Sequence, residues 1–485
     1  MKSSFLLVAA TLGCIVSAEA AAPSLKVYRD DESTADTVYT AKQYVIGVTE
    51  PGATATIAGQ PVHVYRTGSF GAEVNLKPGA NTIALTATKD GRTTKATSKY
   101  VYVTERPARP AAKAVEDSVF ASPKTVTTLP GAYLQYGNGG DRLGGSKMGQ
   151  LEEGIDLTAI ASHGRLYQVQ LASGRTAFIP KEYVKDSSAS PAPVNTGSAS
   201  IFNIGKADRI SISLPRRLAY TSRAAIDPST LYVTLYGAMN NTNWLTQRNA
   251  LGIIDFVDLI QEGSEELTFA IRLKDSYMWG YSISYEGNSL VIDVRHRPES
   301  LALRDLTIGL DAGHGGKYPG AWSPSGLSEK EVNLDIILKA ADMLRAKGAK
   351  VVLTRDGDTG PSMTERKETW KAGNVDLAIS VHNNASGNPL TPMGTSAYYK
   401  HIQNRALAAS MHDAMLSLGV ADFGLTGNFN FSLNAPTEYP NALVEVLFMS
   451  SLPEEELLAD PDYRTRLAEK IVEGIENYLK EVQKQ

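Results

Sequence analysis

The sequence predicts a multidomain protein: three small all-β N-terminal domains, followed by a C-terminal α/β domain with a mostly parallel sheet flanked by helices. Two patterns lead to this fold class. Up to residue 298, short alternating runs are separated by turn residues, which is typical of small sandwiches and barrels. From Leu306 onward, apolar strand-like runs alternate with amphipathic helical segments, which is typical of a sheet covered on both faces.

Length and charge limit the classes of function. A chain of 485 residues is long enough for about three or four domains. Its 48 basic and 52 acidic residues give a formal net charge of −4, which argues against a nucleic-acid or polyanion binder. No segment approaches the roughly twenty apolar residues that cross a bilayer as a helix, so we expect no transmembrane segment.

The N-terminus has the pattern of an export signal, residues 1–20. A basic residue and an apolar run precede Ala18-Glu19-Ala20, a small-x-small cleavage pattern. We therefore expect an exported protein of the periplasm or cell envelope. Cleavage after Ala20 is favoured over lipid anchoring through Cys14, because Thr11 stands where the lipoprotein pattern has leucine. Since Cys14 is the only cysteine, the cleaved chain must bind any metal through histidine and carboxylate.

Residues 25–105 carry the short runs of a small β-sandwich, with breaks such as Glu50-Pro51-Gly52 and Lys89-Asp90-Gly91. The stretch resembles the Ig-like modules found at the front of bacterial envelope enzymes. The Pro- and Ala-rich residues 106–113 that follow are predicted to be a linker.

Residues 117–186 are predicted to form a second all-β domain. A hairpin over residues 165–184 and its closing strand resemble bacterial SH3-like domains, which commonly dock on cell-wall peptide or on partner proteins. This resemblance implies envelope protein partners. Residues 187–200, rich in Ser, Pro and Ala, are predicted to be a second linker.

Residues 201–298 are predicted to be a third β-rich domain. Their clearest element is a hairpin of two alternating arms, 279–285 and 289–295, joined at Gly287-Asn288. The stretch resembles the β-rich targeting modules that precede amidases in diderm bacteria, which implies wall targeting. His296 stands between two arginines, and we expect it to belong to a solvated basic edge.

Residues 304–485 are predicted to be the α/β domain. Ligands of such sheets gather beyond the carboxyl ends of the strands, and His314 and His382 each come at the end of a predicted strand. The predicted strands are 306–310, 350–354, 375–381, 395–399 and 442–447, and the predicted helices are 329–347, 363–372, 405–418 and 463–481.

Two glutamates compete for a ligand role at the start of the first of these helices. Ser328 and Glu331 have the spacing of a capping box, which gives Glu331 a structural role. Glu329 falls at the first helical position and is free to project toward the loop of His314. A zinc site with one open position suits His314, Glu329 and a later third ligand.

His382 is the favoured third ligand, since it ends a strand of the same predicted sheet. His401 and His412 have no acids at metal spacing and are expected to be solvated. Glu445 interrupts an apolar run, where burying a carboxylate costs several kcal/mol unless it is satisfied. It is either a surface residue of an edge strand or, as we favour, a general base and acid whose pKa is raised by burial.

Residues 306 to about 481 resemble the zinc-dependent N-acetylmuramoyl-L-alanine amidases of the amidase-3 family. His314 of Asp-Ala-Gly-His-Gly-Gly, Glu329 of Ser-Glu-Lys-Glu-Val-Asn-Leu and His382 of Ser-Val-His-Asn-Asn match that family's zinc ligands. Glu445 of Leu-Val-Glu matches its catalytic glutamate. The resemblance implies one zinc ion per catalytic domain. It also implies hydrolysis of the amide between muramic acid and the first L-alanine of the peptidoglycan stem peptide.

The sequence departs from the family pattern in three places. Asn383 replaces a small residue after the second histidine, residues 446–448 replace a Thr-Gly-Phe type sequence, and Ala312 stands where proline is common. None of these removes a ligand, so we expect them to affect substrate fit more than activity.

One absence bears on regulation. Some division amidases of the family carry an inserted helix that blocks the zinc, whereas the stretch from His382 to Gly394 is too short for one. We therefore expect restraint through localisation by the N-terminal modules. The alternatives are a zinc peptidase acting on another wall amide and a catalytically silent peptidoglycan-binding scaffold. The presence of all four chemical residues argues against the scaffold.

Overall fold

The structure is a computed structural model, and it describes residues 21–28, 34–108, 117–140, 143–385 and 387–484. The predicted export signal with Cys14 lies outside the described residues, as does most of the predicted linker 106–113. The chain divides into two compact units, residues 1–106 and 107–485. None of the described helices combines the length and the apolar character needed to cross a membrane.

The first module, residues 21–106, has two packed sheets. Its described strands are β1 Leu25–Val27, β2 Asp36–Val38, β3 Lys42–Thr49, β4 Thr54–Ile57, β5 Gln60–Val62, β6 Ser69–Asn75, β7 Gly79–Lys89 and β8 Arg92–Tyr102. The sheet orders are β1-β3-β6 and β2-β8-β7-β4-β5. Phe70 from one sheet and Leu85 from the other are fully buried in a shared core. The predicted two-sheet architecture is confirmed, and the Ig-like identity stays a prediction.

The second module, residues 117–187, is one sheet of seven described strands. They are β9 Asp117–Thr128, β10 Tyr133–Gln135, β11 Lys147–Gln150, β12 Asp156–His163, β13 Leu166–Ala172, β14 Arg175–Pro180 and β15 Val184–Ser187. Their order is β11-β10-β14-β13-β12-β9-β15. The predicted hairpin is formed by β13 and β14. The SH3-like identity stays a prediction.

The third module, residues 194–298, has two main sheets, β22-β17-β18-β26-β25 and β19-β20-β24-β23, and a short pair, β16-β21. The predicted hairpin is confirmed as β25 and β26. The described strands are β16 Val194–Asn195, β17 Ala199–Asn203, β18 Ala207–Ile212, β19 Tyr220–Ile226, β20 Ser229–Tyr236, β21 Ala238–Met239, β22 Leu245–Gln247, β23 Ile254–Glu262, β24 Glu266–Leu273, β25 Tyr281–Glu286 and β26 Ser289–Arg295.

The second and third modules share one continuous apolar core, in which Val169 and Leu231 are fully buried. The predicted linker 187–200 is therefore wrong for its second half. Val194 and Asn195 pair with Ala238 and Met239, so this part of the chain belongs to a sheet. Composition alone missed this, because the partner strand lies more than forty residues away in the sequence.

The α/β domain has a six-stranded sheet of order β28-β27-β29-β32-β30-β31 with helices packed against it. Strands β28, β27, β29 and β32 are parallel to one another, and β30 is antiparallel to β32. The strands are β27 Thr307–Ala312, β28 Lys350–Leu353, β29 Leu377–Asn384, β30 Thr395–Tyr398, β31 Asp422–Thr426 and β32 Asn441–Phe448. The helices are α1 Glu329–Ala346, α2 Met363–Ala372, α3 Arg405–Leu416, α4 Leu452–Ala459 and α5 Pro461–Gln483. The predicted fold class is thus confirmed.

Two elements of this domain were not predicted, β31 and α4. Strand β31 lies at the sheet edge, is mostly exposed and contains Gly424, whose φ of 124° is unfavourable for other residues. Helix α4 has only eight residues and a proline in its first turn. Neither element carries the long periodic pattern on which sequence-based assignment depends.

The third module contacts the α/β domain at the amino ends of the sheet. Arg295 donates to the carbonyl of Val375 (2.8 Å) and to the Asp376 carboxylate (2.7 Å), immediately before β29. Trp279 is fully buried in the apolar core of the α/β domain and stacks on Tyr478 of α5. This tryptophan makes the third module part of the same packed body as the α/β domain.

The solvated basic edge predicted around His296 is wrong. The His296 imidazole lies 3.0 Å from the carboxylate of Asp208, which is fully buried. Asp208 also accepts hydrogen bonds from the backbone amides of Gly252, Ile253 and Ile254. His296 therefore contacts a buried carboxylate of the same module.

Candidate active site

Three neighbouring parallel strands bring the candidate residues to one edge of the sheet. His314 follows β27, while His382 lies in β29 and Glu445 in β32. His382 and Glu445 are direct neighbours in the register of these two strands. Register-matched residues of adjacent strands present their side chains to the same face, so the imidazole and the carboxylate lie side by side.

His314, Glu329 and His382 form a compact cluster. One donor atom from each lies within 4.8 Å of the other two. The Glu329 carboxylate is 3.2 Å from Nε2 of His314 and 3.0 Å from Nδ1 of His382. Two imidazoles and one carboxylate are a donor set that zinc uses in hydrolytic enzymes, with a position left open. The three side chains fit a zinc site.

Glu329 is the first residue of α1 and is nearly fully buried. Its carboxylate also accepts hydrogen bonds from the backbone amides of Ala321 (2.8 Å) and Asn383 (3.1 Å). Burial alone would raise the pKa of this carboxyl, but the hydrogen bonds and charges of the two histidines hold it well below its usual range. Glu329 is therefore a carboxylate throughout the physiological pH range.

Glu331 lies on the exposed side of α1, away from the cluster. The predicted capping box is wrong in its geometry, because the Ser328 hydroxyl donates to the Glu331 carboxylate (2.7 Å) and makes no capping bond to the backbone. The two side chains satisfy each other. Glu331 still has a local structural role, which leaves Glu329 for the cluster.

Close backbone approach shapes the site. A Cβ atom added at Gly313 would overlap the His382 ring, and one added at Gly320 would overlap the Glu329 carboxylate.

Burial alone would lower the pKa of His382, but the hydrogen bond and charge of Glu329, with the charge of Glu445, raise it to about 9. The acidic groups thus create a site that favours positive charge.

His314 has a left-handed backbone conformation, with φ of 63°, and two buried arginines bind the carbonyls around it. Arg366 donates to the carbonyls of Ala312 (2.9 Å) and His314 (2.7 Å). Arg355 donates to the carbonyls of Ala312 (2.8 Å) and Gly313 (3.0 Å). These contacts stabilise the left-handed backbone conformation of His314, which is uncommon for residues other than glycine.

Asp311, a buried residue of β27, compensates the positive charge of these arginines. It pairs with Arg366 and accepts hydrogen bonds from the hydroxyls of Thr354 and Ser380 (2.6 Å for Ser380). Burial alone would raise the pKa of Asp311, but the Arg366 charge and the hydroxyl bonds keep it below the ordinary value. Removing one partner of such a buried pair leaves an uncompensated charge.

Sequence reasoning missed both arginines, although each left a signal. Arg355 comes two residues after strand β28, at the carboxyl end of the sheet where the site lies. Arg366 and Trp370 are four residues apart on one face of α2 and are both buried. A charged residue on the buried face of a helix needs a partner in the core.

Asn383 is one of the three departures from the family pattern. Its side chain is buried and donates to Asn333 of α1 (2.8 Å), whose own amide lies 3.3 Å from the Glu329 carboxylate. Asn383 is therefore linked through Asn333 to the candidate ligand Glu329, and its expected effect on substrate fit stays a prediction.

Glu445 is partly buried at the site edge, and the edge-strand alternative is wrong because β32 lies between β29 and β30. Its carbonyl accepts a hydrogen bond from the Thr395 hydroxyl (3.2 Å). Its neighbours in register are His382 on one side and Ser396 on the other. This position places a carboxylate next to the metal-ligand cluster.

The expectation that His401 and His412 are solvated is also wrong. His412 is buried on α3, 3.0 Å from the Asp422 carboxylate. One His401 ring nitrogen lies 2.9 Å from the carbonyl of Ala435, and burial lowers the pKa of this histidine to about 4. Both are structural residues distant in sequence from the cluster.

Two loops border the site. The first site loop, residues 315–327, joins His314 to α1, and the second site loop, residues 385–394, joins β29 to β30. The described residues of the second site loop contain no helix.

Comparisons with known proteins concern this α/β domain. The family model described as N-acetylmuramoyl-L-alanine amidase (Amidase_3) matches residues 308–477. The germination-specific N-acetylmuramoyl-L-alanine amidase of Bacillus subtilis is 32% identical over 201 residues, which is 38% of this chain and 84% of that protein. The N-acetylmuramoyl-L-alanine amidase LytC of the same organism is 32% identical over 179 residues, 36% of each chain.

Solved structures include the catalytic domain of CwlV, an N-acetylmuramoyl-L-alanine amidase from Bacillus (Paenibacillus) polymyxa var. colistinus. It is 33% identical with a TM-score of 0.35, and the match covers 36% of this chain and 98% of that one. The chain thus spans nearly all of the CwlV catalytic domain but only about a third of LytC.

Proposed function

Because the chain belongs to the N-acetylmuramoyl-L-alanine amidase family, we propose that it hydrolyses the amide between the lactyl group of muramic acid and the first L-alanine of the peptidoglycan stem peptide. The observation that carries this proposal is the cluster of His314, Glu329 and His382, with Glu445 beside it. The substrate is inferred from the family.

In this proposal His314, Glu329 and His382 hold one zinc ion. When bound, zinc supplies Lewis-acid polarisation of the scissile carbonyl and lowers the pKa of water toward about 7. Glu329, whose carboxylate lies between the two imidazoles, would supply the anionic ligand. Arg355 and Arg366 hold the His314 loop through its carbonyls.

Glu445 is the proposed general base and acid. Its carboxylate accepts a proton from the attacking water as the new C–O bond forms, and it returns that proton to the alanine nitrogen as the C–N bond breaks. The products are a free lactyl carboxylate and a peptide with a free α-amino group. Its position beside His382 in the sheet register supports this role.

We propose further that the site needs no separate activator, which is supported by the short second site loop. The chain would be exported to the periplasm or cell envelope, with the N-terminal modules binding peptidoglycan or envelope proteins. The family's action on the cell wall and the export pattern of residues 1–20 support this location.

Digestion of purified sacculi by the full mature chain tests the proposal. We expect free L-alanine amino ends from wild type without any added protein. The Glu445→Gln variant should bind one zinc ion and lose activity by at least about a hundredfold. New amino ends at another stem residue would indicate a zinc peptidase, and no new ends with wild type would indicate a silent scaffold.

A further inference from the structure

Helix α4 carries two adjacent acidic side chains that are buried. Glu454 is 2% exposed and Glu455 is fully buried. Taking carboxylates out of water is unfavourable unless hydrogen bonds compensate, so each should have a defined partner. The partners of this pair lie in the two loops that border the site and at the end of β32.

Glu454 binds the segments on both sides of Glu445. One carboxylate oxygen accepts from the amide of Gly394 (2.6 Å), the last residue of the second site loop. The other oxygen accepts from the amide of Phe448 (3.0 Å), three residues after Glu445 on β32. The carboxylate therefore links the start of β30 to the end of β32, the strand that contains Glu445.

The second site loop has further contacts with the start of α4. The Leu452 amide donates to the carbonyl of Pro389 (2.8 Å), and the Ser451 hydroxyl donates to that of Thr391 (3.3 Å). Burial raises the pKa of Glu454 to about 7, as expected for a carboxyl held inside the protein.

Glu455 reaches the opposite side of the site. Its carboxylate accepts from the amide of Ser325 (2.6 Å) in the first site loop. This loop also donates from Ala321 to Glu329, and it exposes the aromatic side chains of Tyr318 and Trp322. Such side chains are suited to contact a sugar or peptide.

We propose that Glu454 and Glu455 are positioning residues that fix the two site loops from one helix, Glu454 for the base Glu445 and Glu455 for substrate binding. This inference rests on the proposed amidase function. The hydrogen bonds described above connect these two residues to the site loops and to β32, which is why we assign them a positioning role and not a catalytic one. A glutamine at either position keeps the shape but replaces an acceptor oxygen with a donor group.

Amide hydrogen exchange and kinetics of the full mature chain test the proposal, with Glu456→Gln on the same helix as the matched control. Glu454→Gln should speed exchange at Gly394 and Phe448 but not at Ser325, and it should lower kcat about tenfold with KM little changed. Glu455→Gln should speed exchange at Ser325 but not at Gly394 or Phe448, and it should raise KM. Zinc content should stay at one ion per chain in both.

The proposal is wrong if both variants match Glu456→Gln in exchange and kinetics. It is also wrong if lost activity follows loss of zinc or of folded protein, which would make the acids purely structural. Should Glu454→Gln fail to fold, Glu454→Asp keeps the charge on a shorter side chain, and it should give a smaller change at the same two amides. Inactive wild type would refute the amidase function, whereas the exchange measurements still test the contacts.

Discussion

The two ends of the α/β sheet are built from different chemistry. At the carboxyl ends of the strands, Asp311, Glu329 and Arg366 are buried in hydrogen-bonded groups around the candidate site. At the amino ends, the third module inserts Trp279 into the apolar core and adds Arg295 as a polar contact.

This difference separates stability from chemistry. Apolar burial at the amino ends contributes free energy of folding and makes no demand on charge. Buried charges at the carboxyl ends destabilise the fold unless they are fully paired. Their function there is to hold the loops and ligands of the candidate site in position. Substitutions at the amino ends should therefore lower stability, whereas substitutions at the carboxyl ends should mainly lower zinc binding or activity.

The largest expected effect is on stability, at the amino ends. Trp279→Ala should lower the free energy of unfolding by about 3–5 kcal/mol, because it removes a large side chain from a packed core. Turnover per folded, zinc-loaded molecule should be unchanged. Thermal unfolding and zinc-normalised kinetics measure the two effects.

Trp244→Ala is the matched control for that experiment, since Trp244 lies in the same module and is 68% exposed. It should change the free energy of unfolding by less than about 0.5 kcal/mol. Equal losses for the two tryptophans would contradict the packing role assigned to Trp279.

The next effect is on metal binding, at the carboxyl ends. Glu329→Gln should weaken zinc affinity by at least about a hundredfold, since it removes the charge that both imidazoles contact. Isothermal titration with zinc measures the change. Glu331→Gln, two residues along the same helix, should leave affinity near that of wild type. The reverse outcome would overturn the assignment of Glu329 as the ligand.

The smallest expected effect is on the pH dependence of the unfolding free energy, through a buried charge near the carboxyl ends. The pKa of Glu454 is about 7 in the folded chain, above its ordinary value. Such a group stabilises the fold at low pH, and this contribution is lost as the pH rises through 7. The unfolding free energy of wild type relative to Glu454→Gln should therefore fall by about 2 kcal/mol from about pH 5 to about pH 8. Urea unfolding at both pH values measures it, and a constant difference would contradict the raised pKa.

Local sequence patterns predicted most of the α/β domain and its four candidate site residues. His314, His382 and Glu445 each interrupt or end an apolar strand, and parallel strands align their carboxyl ends. The choice between Glu329 and Glu331 needed only their positions in the first helical turn. The predicted Ser328 capping bond is absent because the Ser328 hydroxyl donates to the Glu331 side chain instead.

The sequence by itself determined most of the strands and helices of the α/β domain, except β31 and α4, and the residue types that can bind zinc. These follow from periodicity and ligand chemistry, which are local properties. Only the tertiary structure decided which buried charges support the site, namely Arg355, Arg366, Glu454 and Glu455. It also decided that Trp279 belongs to the core of the α/β domain. Each of these assignments depends on a contact with residues distant in the chain. The sequence does not show which distant residues will surround a charge or an aromatic ring, and those neighbours decide whether its burial is favourable.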